Sequence, residues 1–284
     1  MKSIAFIIPY FGPFPFWMDY FIASCKANPT IDFIFYSDNE KPEDWPSNIH
    51  YKKLTFSDYK ILVSRKLNIE FHPESAYKVC DIRPAFPCIH EDDLKGYDFW
   101  GFCDIDLVFG NIRNFLTSGI LAKHHFFSAY ERRVSGHFFI CRNIPEYRNI
   151  YLELNNWKQA FEDDKHHCFD EKAFSDLFVK FKNHPAFSKK LLTWLFLPYS
   201  RKAYFKDQFS TPGLRYDWED GTRNFPSEWY WEEGTLTNNR SDNEFLYFHF
   251  LKWKREWNSL EFNIEKPGKK WKISISGFEN DLGE

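Results

Sequence analysis

Three stretches of this chain are apolar almost without interruption: "IAFIIP" (4–9), "IDFIFYS" (31–37) and "FWGFC" (99–103). A strand with one face in water alternates apolar and polar residues. A strand covered on both faces does not, and such runs mark a parallel sheet with helices on either side. Pro9 closes the first run, because it has no N–H to give a central ladder. Residues 16–27 and 57–66 carry helical patterns, and "IHYKKLTF" (49–56) reads as a third strand. "YKVCDIRPAFPCI" (77–89) reads as helix passing into loop. After 99–103 come two more strands, "HHFFSAY" (124–130) and "GHFFICRN" (136–143), then a helix over 145–161 with Leu152 and Trp157 inward. This order predicts an α/β sandwich with a mostly parallel central sheet. Past residue 195, short strands and turns take over, with a hairpin predicted at "EWYWEEGTLTN", turned at Glu233–Gly234. The expected organisation is a core over 1–195 and a C-terminal part over 196–284 folded onto it as one unit.

Composition narrows the function classes. A net charge of −3 gives no electrostatic footprint for nucleic acid. Phe, Tyr and Trp make up 21% of the residues, more than recognition sites can use, so most of these rings must be core and a few can stack on a ligand. The six cysteines show no CxxC and no regular spacing, which reads as reduced core residues of a cytosolic protein. The N-terminal run is broken by Pro9, Pro13 and Pro15, unlike a signal peptide, and no run is long enough to span a bilayer. A cytoplasmic protein is expected. The tail from Lys252 to Lys272 mixes Lys with Trp. That pattern suits a solvated surface with Trp packed inward. It also suits peripheral contact with anionic lipid at the inner face of the cytoplasmic membrane.

The stretch "DFWGFCDIDLVFGNI" (98–112) holds the chemistry, because carboxylates rarely interrupt an apolar run. Asp104 and Asp106 follow a buried strand, and ligands of open α/β sheets bind at the carboxyl ends of strands. Residues i and i+2 of an extended segment point the same way, so both carboxylates can face one hard divalent cation. Asp-x-Asp-x-Val also matches the nucleophile motif of a haloacid-dehalogenase-like phosphohydrolase with Asp104 as nucleophile, although two strands precede it here. Two aspartates capping a strand end is the plainest alternative. A non-catalytic carbohydrate-binding protein built on the many rings is a further class.

In company with its neighbours, the motif resembles those of bacterial GT-A-type glycosyltransferases. The likeness is to the poorly characterised enzymes of surface-polysaccharide clusters. "IAFIIPYFG" looks like their opening strand and nucleotide loop, with Pro9, Tyr10 and Phe11. "FIFYSD" looks like the second strand, with Asp38 meeting base or ribose. "RRVSGHFFICRN" is similar to the segment shaping the acceptor pocket, here Gly136 and His137. "YFHFLKWK" is similar to the late His-x-x-Lys region of the galactosyltransferase-like branch, although it lacks that branch's glycine and its Lys-Pro-Trp ending. The resemblance implies a GT-A-like fold and a UDP-sugar donor. It also implies Mn²⁺ or Mg²⁺ held by Asp104, Asp106 and His249, and an acceptor that is a glycan or lipid-linked glycan. Lys252 would meet the diphosphate, as would Lys78 or Arg83 of "KVCDIRP", whose Asp81 would be the polar residue meeting the base, with Asp104 also touching ribose or sugar. An inverting enzyme needs a base, for which Asp170 and Glu171 in "HHCFDEKAF" are the candidates, and a carboxylate there also suits a helix N-cap. A retaining enzyme needs no such base.

Overall fold

In a computed structural model of the protein, residues 1–181, 184–212, 217–257 and 266–280 are described. The strands, numbered along the chain, begin with β1 (Ile4–Pro9), β2 (Ile31–Ser37), β3 (Ile49–Lys53), β4 (Phe99–Cys103), β5 (Leu107–Phe109), β6 (Phe126–Ser128) and β7 (Phe138–Arg142). Then follow β8 (Ala203–Phe205), β9 (Glu228–Glu232), β10 (Thr235–Asn238), β11 (Tyr247–His249), β12 (Lys270–Ser274) and β13 (Gly277–Asn280). They fall into two units, and the chain passes repeatedly between them. The first unit takes residues 1–13, 30–104 and 118–207, and the second takes 14–29, 105–117 and 208–284.

The first unit is the predicted α/β body. Its seven-stranded sheet has the order β3-β2-β1-β4-β7-β6-β8. Every pairing is parallel except those of β7, which runs antiparallel to both β4 and β6. The three apolar runs are the adjacent inner strands β2, β1 and β4, and nearly every residue in them is buried. β8 adds an edge strand, so the unit continues to Asp207.

The helix Phe56–Leu67 shows why its sequence is helical. Thr55 caps it by accepting from the Asp58 N–H at 3.1 Å, and Asp58 lies in the positive first turn. Arg65 and Lys66 lie in the last turn, and Asn68 stops the helix in the left-handed region at φ 53°. Tyr59, Val63 and Leu67, at i, i+4 and i+8, form its buried stripe. The single helix expected over 145–161 is instead three short pieces, Pro145–Arg148, Ile150–Glu153 and Trp157–Glu162. Asn156 at φ 57° interrupts the path, and Ile150, Tyr151 and Leu154 turn inward while Leu152 is 51% exposed.

His90 is buried in this unit, with Nε2 3.0 Å from the Tyr59 hydroxyl and its ring 4.5 Å from that of Tyr36. Burial pushes its imidazole down to about 3. The unfolded chain takes up that proton near pH 6.5. The contribution of neutral His90 is therefore complete above pH 6.5 and is lost as pH falls towards 3, costing about 3 kcal/mol at pH 4.5. Urea unfolding of His90→Phe should show a loss of stability between pH 7 and 4.5 that is smaller than wild type by about 3 kcal/mol. Equal losses would mean that His90 does not set this slope.

The second unit holds a four-stranded antiparallel sheet, order β10-β9-β12-β13, and a two-stranded pair, β11-β5. The expected hairpin is β9–β10, turned at Glu233 and Gly234, both with positive φ. Much of the aromatic excess is spent here. Trp231 stacks on Trp271 at 4.8 Å, and Trp218, Trp229, Trp253 and Trp257 are buried in the same cluster. The tail's tryptophans thus pack inward, while 258–265 of that tail lie outside the described residues. Asn28, from the loop after the helix Met18–Lys26, is buried and donates to Gly110 O while its Oδ1 accepts from Ile112 N, each at 2.9 Å. This pins the chain leaving β5. All six cysteines are free thiols. Among the described residues, no helix is long and apolar enough to cross a membrane.

Candidate active site

Asp106 lies one residue before β5. The antiparallel register pairs Leu107 with His249, Val108 with Phe248 and Phe109 with Tyr247, which carries the end of β11 to the start of β5. The Phe250 N–H donates to Asp106 O at 3.2 Å. Only 3% of Asp106 is exposed. Its Oδ2 faces His249 Nε2 at 3.4 Å and the Lys254 ammonium at 2.5 Å. Burial alone would favour the protonated acid, but His249 and Lys254 outweigh it and hold the carboxyl well below the usual carboxylate range. The other ring nitrogen of His249 lies 3.4 Å from Thr211 Oγ1, and its backbone N–H donates to Ser210 O at 2.8 Å. The imidazole is thereby fixed with Nε2 towards the carboxylate.

Lys252, the expected phosphate contact, is exposed, and Lys254 takes the place beside Asp106. The signal for this was present in the sequence. Trp253 and Trp257, at i and i+4, both bury from the short helix Trp253–Trp257 and put Lys252 and Lys254 on different faces.

The first unit carries a second cluster at the end of β4. The Asp104 N–H donates to His137 O at 3.1 Å, extending the β4–β7 ladder by one bond. Arg83 opens a tight 3₁₀ turn with Pro84 at its start. Its guanidinium lies 5.2 Å from the Phe102 ring centroid and donates to Asp104, to Gly136 O and, at 3.1 Å, to Asp170 Oδ2. Asp170 is only 3% exposed. Burial pushes its carboxyl up to about 7, with the charges of Glu171 and Asp104 adding and Arg83 opposing. Glu171 accepts from Gly136 N at 3.1 Å and pairs with Arg133 at 3.0 Å. A Cβ on Gly136 would stand 2.8 Å from Glu171 Oε1, so a glycine lets the carboxylate lie against the backbone.

Other candidates sit elsewhere. Lys78 is 1% exposed, and its three ammonium protons serve Ala160 O at 2.6 Å, Lys165 O at 2.5 Å and Asp81 at 3.0 Å. Asp81 is buried and accepts from His167 N at 2.9 Å and Phe169 N at 2.8 Å. Buried and fully partnered, Lys78 does not offer its ammonium to a diphosphate, nor Asp81 its carboxylate to a base. Lys78 and Asp81 form a buried clasp on the 160–169 loop, which leads into Asp170. His137 is likewise buried, with Ser135 Oγ 3.1 Å from its Nδ1 and the Tyr130 ring edge-on at 5.2 Å, so it does not line an open acceptor pocket. Pro9, Tyr10 and Phe11 follow β1. Tyr10 N donates to Tyr36 O at 2.8 Å, and the Phe11 ring packs on Phe56 and Tyr59. Asp38 is exposed and accepts from Gly12 N at 3.0 Å, which ties the first loop to the second. The chain leaves the first unit at Asp104 and enters the second at Ile105, inside the motif itself.

A family model described as a family of unknown function, DUF6625, matches residues 6–281. Comparison with curated protein sequences finds no match. Among solved structures, the chain is similar to mouse xyloside xylosyltransferase 1 in its apo form, at 11% identity over 88% of this chain and 97% of that one, with a TM-score of 0.45. It is also similar to the galactosyltransferase LgtC with donor and acceptor sugar analogues, at 11% identity over 61% of this chain and 72% of that one, with a TM-score of 0.36. A further similarity is to the glycosyltransferase GlyE of Streptococcus pneumoniae TIGR4, at 10% identity over 59% and 41%, with a TM-score of 0.36.

Proposed function

The chain belongs to DUF6625, a family of unknown function, and we propose that it is a metal-dependent glycosyltransferase. It would move a sugar from a UDP-sugar, UDP-galactose among the candidates, to a glycan or lipid-linked glycan of a surface polysaccharide such as O-antigen or capsule. The main support is Asp106, a buried carboxylate kept ionised beside His249 at the end of an apolar strand. Two carboxylates and an imidazole, from Asp104, Asp106 and His249, are donors that suit Mn²⁺ or Mg²⁺. Lys254 neutralises Asp106 Oδ2, so a bound cation would take over the place its ammonium holds.

A divalent cation there would neutralise the charge that grows on the leaving diphosphate. The chain's own groups supply the rest. Lys254, on a flexible stem and partly exposed, can turn from Asp106 to a phosphate oxygen. Arg83 fixes Asp104 and Asp170 in orientation. Asp170, pushed up to about 7, can take the acceptor hydroxyl's proton near neutral pH. Glu171, held by Arg133 and Gly136, is the second carboxylate in reach of that step. Such an enzyme would work in the cytoplasm, at the membrane face where lipid-linked acceptors lie.

Calorimetric titration of the purified protein with UDP tests this. Binding should require Mn²⁺ or Mg²⁺ and vanish in chelator. UDP that fails to bind with either metal present would sink the proposal.

A further inference from the structure

We propose that the helix Ala186–Phe196 is a membrane-surface anchor that lies flat on an anionic bilayer leaflet. Phe187, Leu191, Trp194 and Leu195 recur at i, i+4, i+7 and i+8, which puts them on one face of the helix. In the helix Phe56–Leu67 the same spacing marks the buried stripe. Here the stripe is exposed, Phe187 at 86% and Trp194 at 57%, with Phe196 exposed beside it at the helix end. Among its described residues the helix buries none, and the first buried residue after it is Leu197. Apolar surface on this scale marks a docking face.

Charge selects the occupant. Between Asp176 and Asp207 the sequence has seven Lys and Arg and no Asp or Glu, in a chain where acids outnumber bases, 40 to 37. Arg201 lies over the Trp194 ring at 4.7 Å and donates from Nε to Trp194 O at 2.9 Å, which fixes a guanidinium at the rim of the stripe. An apolar stripe with Trp on it, a guanidinium at its rim and a basic flanking sequence is the chemistry of a helix in the lipid headgroup plane. A second copy of this chain would set like charges against each other. Eleven residues cannot span a bilayer, which takes about 20, so the helix lies along the surface. The basic tail lacks the apolar half of such a site, because Trp253, Trp257 and Trp271 are buried. This surface is independent of the chemistry at Asp106.

Co-sedimentation of the full chain with vesicles tests it, using phosphatidylcholine alone and phosphatidylcholine mixed with phosphatidylglycerol. Binding to the anionic vesicles should exceed that to neutral ones by about tenfold or more, and high salt should weaken it. Leu191→Glu with Trp194→Glu should abolish binding while leaving the unfolding midpoint within a few degrees of wild type, since both side chains are exposed. Lys269→Glu with Lys270→Glu, in the tail, should leave binding within about twofold. No preference for anionic vesicles would overturn the proposal. So would loss of binding in the tail variant with retention in the helix variant. Self-association removed by the helix variant, with no vesicle binding by wild type, would assign the face to a second copy and also overturn it.

Discussion

Asp106→Asn is expected to lower metal-dependent UDP affinity by about 100-fold or more, the upper end of what outer-shell changes at metal sites cost. The substitution keeps the shape and removes the one charge that Lys254 and His249 share. The fold should survive, because Lys254 is about a third exposed and can reach water when its partner is lost. Circular dichroism would verify that, and calorimetry with UDP and Mn²⁺ would read the loss. Lys252→Ala is the matched control. That side chain points to solvent, so affinity should stay within about twofold of wild type. A comparable loss in Lys252→Ala would place Lys252 at the phosphates and restore the simpler His-x-x-Lys assignment.

Arg83→Met is the second large effect, and it falls on stability. One guanidinium serves Asp104, Asp170 and the Gly136 carbonyl. Without it, two carboxylates and a carbonyl lose their donor, at a cost of about 3–5 kcal/mol, the scale for breaking a buried ion pair. For a chain of this size that lowers Tm by about 10 °C. The deficit should depend on pH. The folded-state value for Asp170 is raised from the usual carboxylate range to about 7. Its contribution is therefore complete below about pH 4 and lost as pH rises through 7. At pH 5 the group is mostly neutral in both proteins, and the deficit reflects Asp104 and the carbonyl. At pH 8 wild-type Asp170 is ionised against Arg83, and the variant has no counter-charge for it. Thermal unfolding should therefore show the larger difference at pH 8, and identical deficits would show that Arg83 and Asp170 are not electrostatically linked.

The sheet was legible because burial on both faces leaves a direct trace. β1, β2 and β4 had to be apolar at nearly every position, which marked them as strands of a covered parallel sheet. The helix expected over 145–161 was not legible. Its apolar residues fit a helical count, but nothing in that count shows that Asn156 takes a left-handed turn or that Leu152 faces outward from a separate 3₁₀ turn. At the site, Asp104 and Asp106 stood out because carboxylates interrupt an apolar run. Lys78 was misread for the opposite reason. A lysine near an arginine in a chain suspected of holding phosphates looks like a ligand contact, and only the fold reveals that its protons are taken by Ala160 O, Lys165 O and Asp81. Lys254 was hidden by an assumed three-residue spacing, where the pair of buried tryptophans sets the actual one. The exposed stripe of 186–196 is invisible to periodicity, because the same i, i+4, i+7 pattern serves a helix that faces a core and one that faces outward.

The partition of the chain also sets when the site can exist. Asp106 is made early, yet Lys254 follows it by 148 positions, with His249 just before that lysine. β5, to which β11 adds, has no strand partner in the second unit until those residues are available. During synthesis from the N-terminus, the seven-stranded sheet has all its strands by Phe205, while Asp106 still lacks both its counter-charges. The contacts that create the site are thus among the most distant in sequence, and such contacts are the slow ones to form. A ribosome-bound or C-terminally clipped chain can carry all seven strands of that sheet while Asp106 lacks His249 and Lys254. Under the proposed function, nucleotide capture would then report a finished molecule, and partial products of translation would not draw on the cell's donor pool.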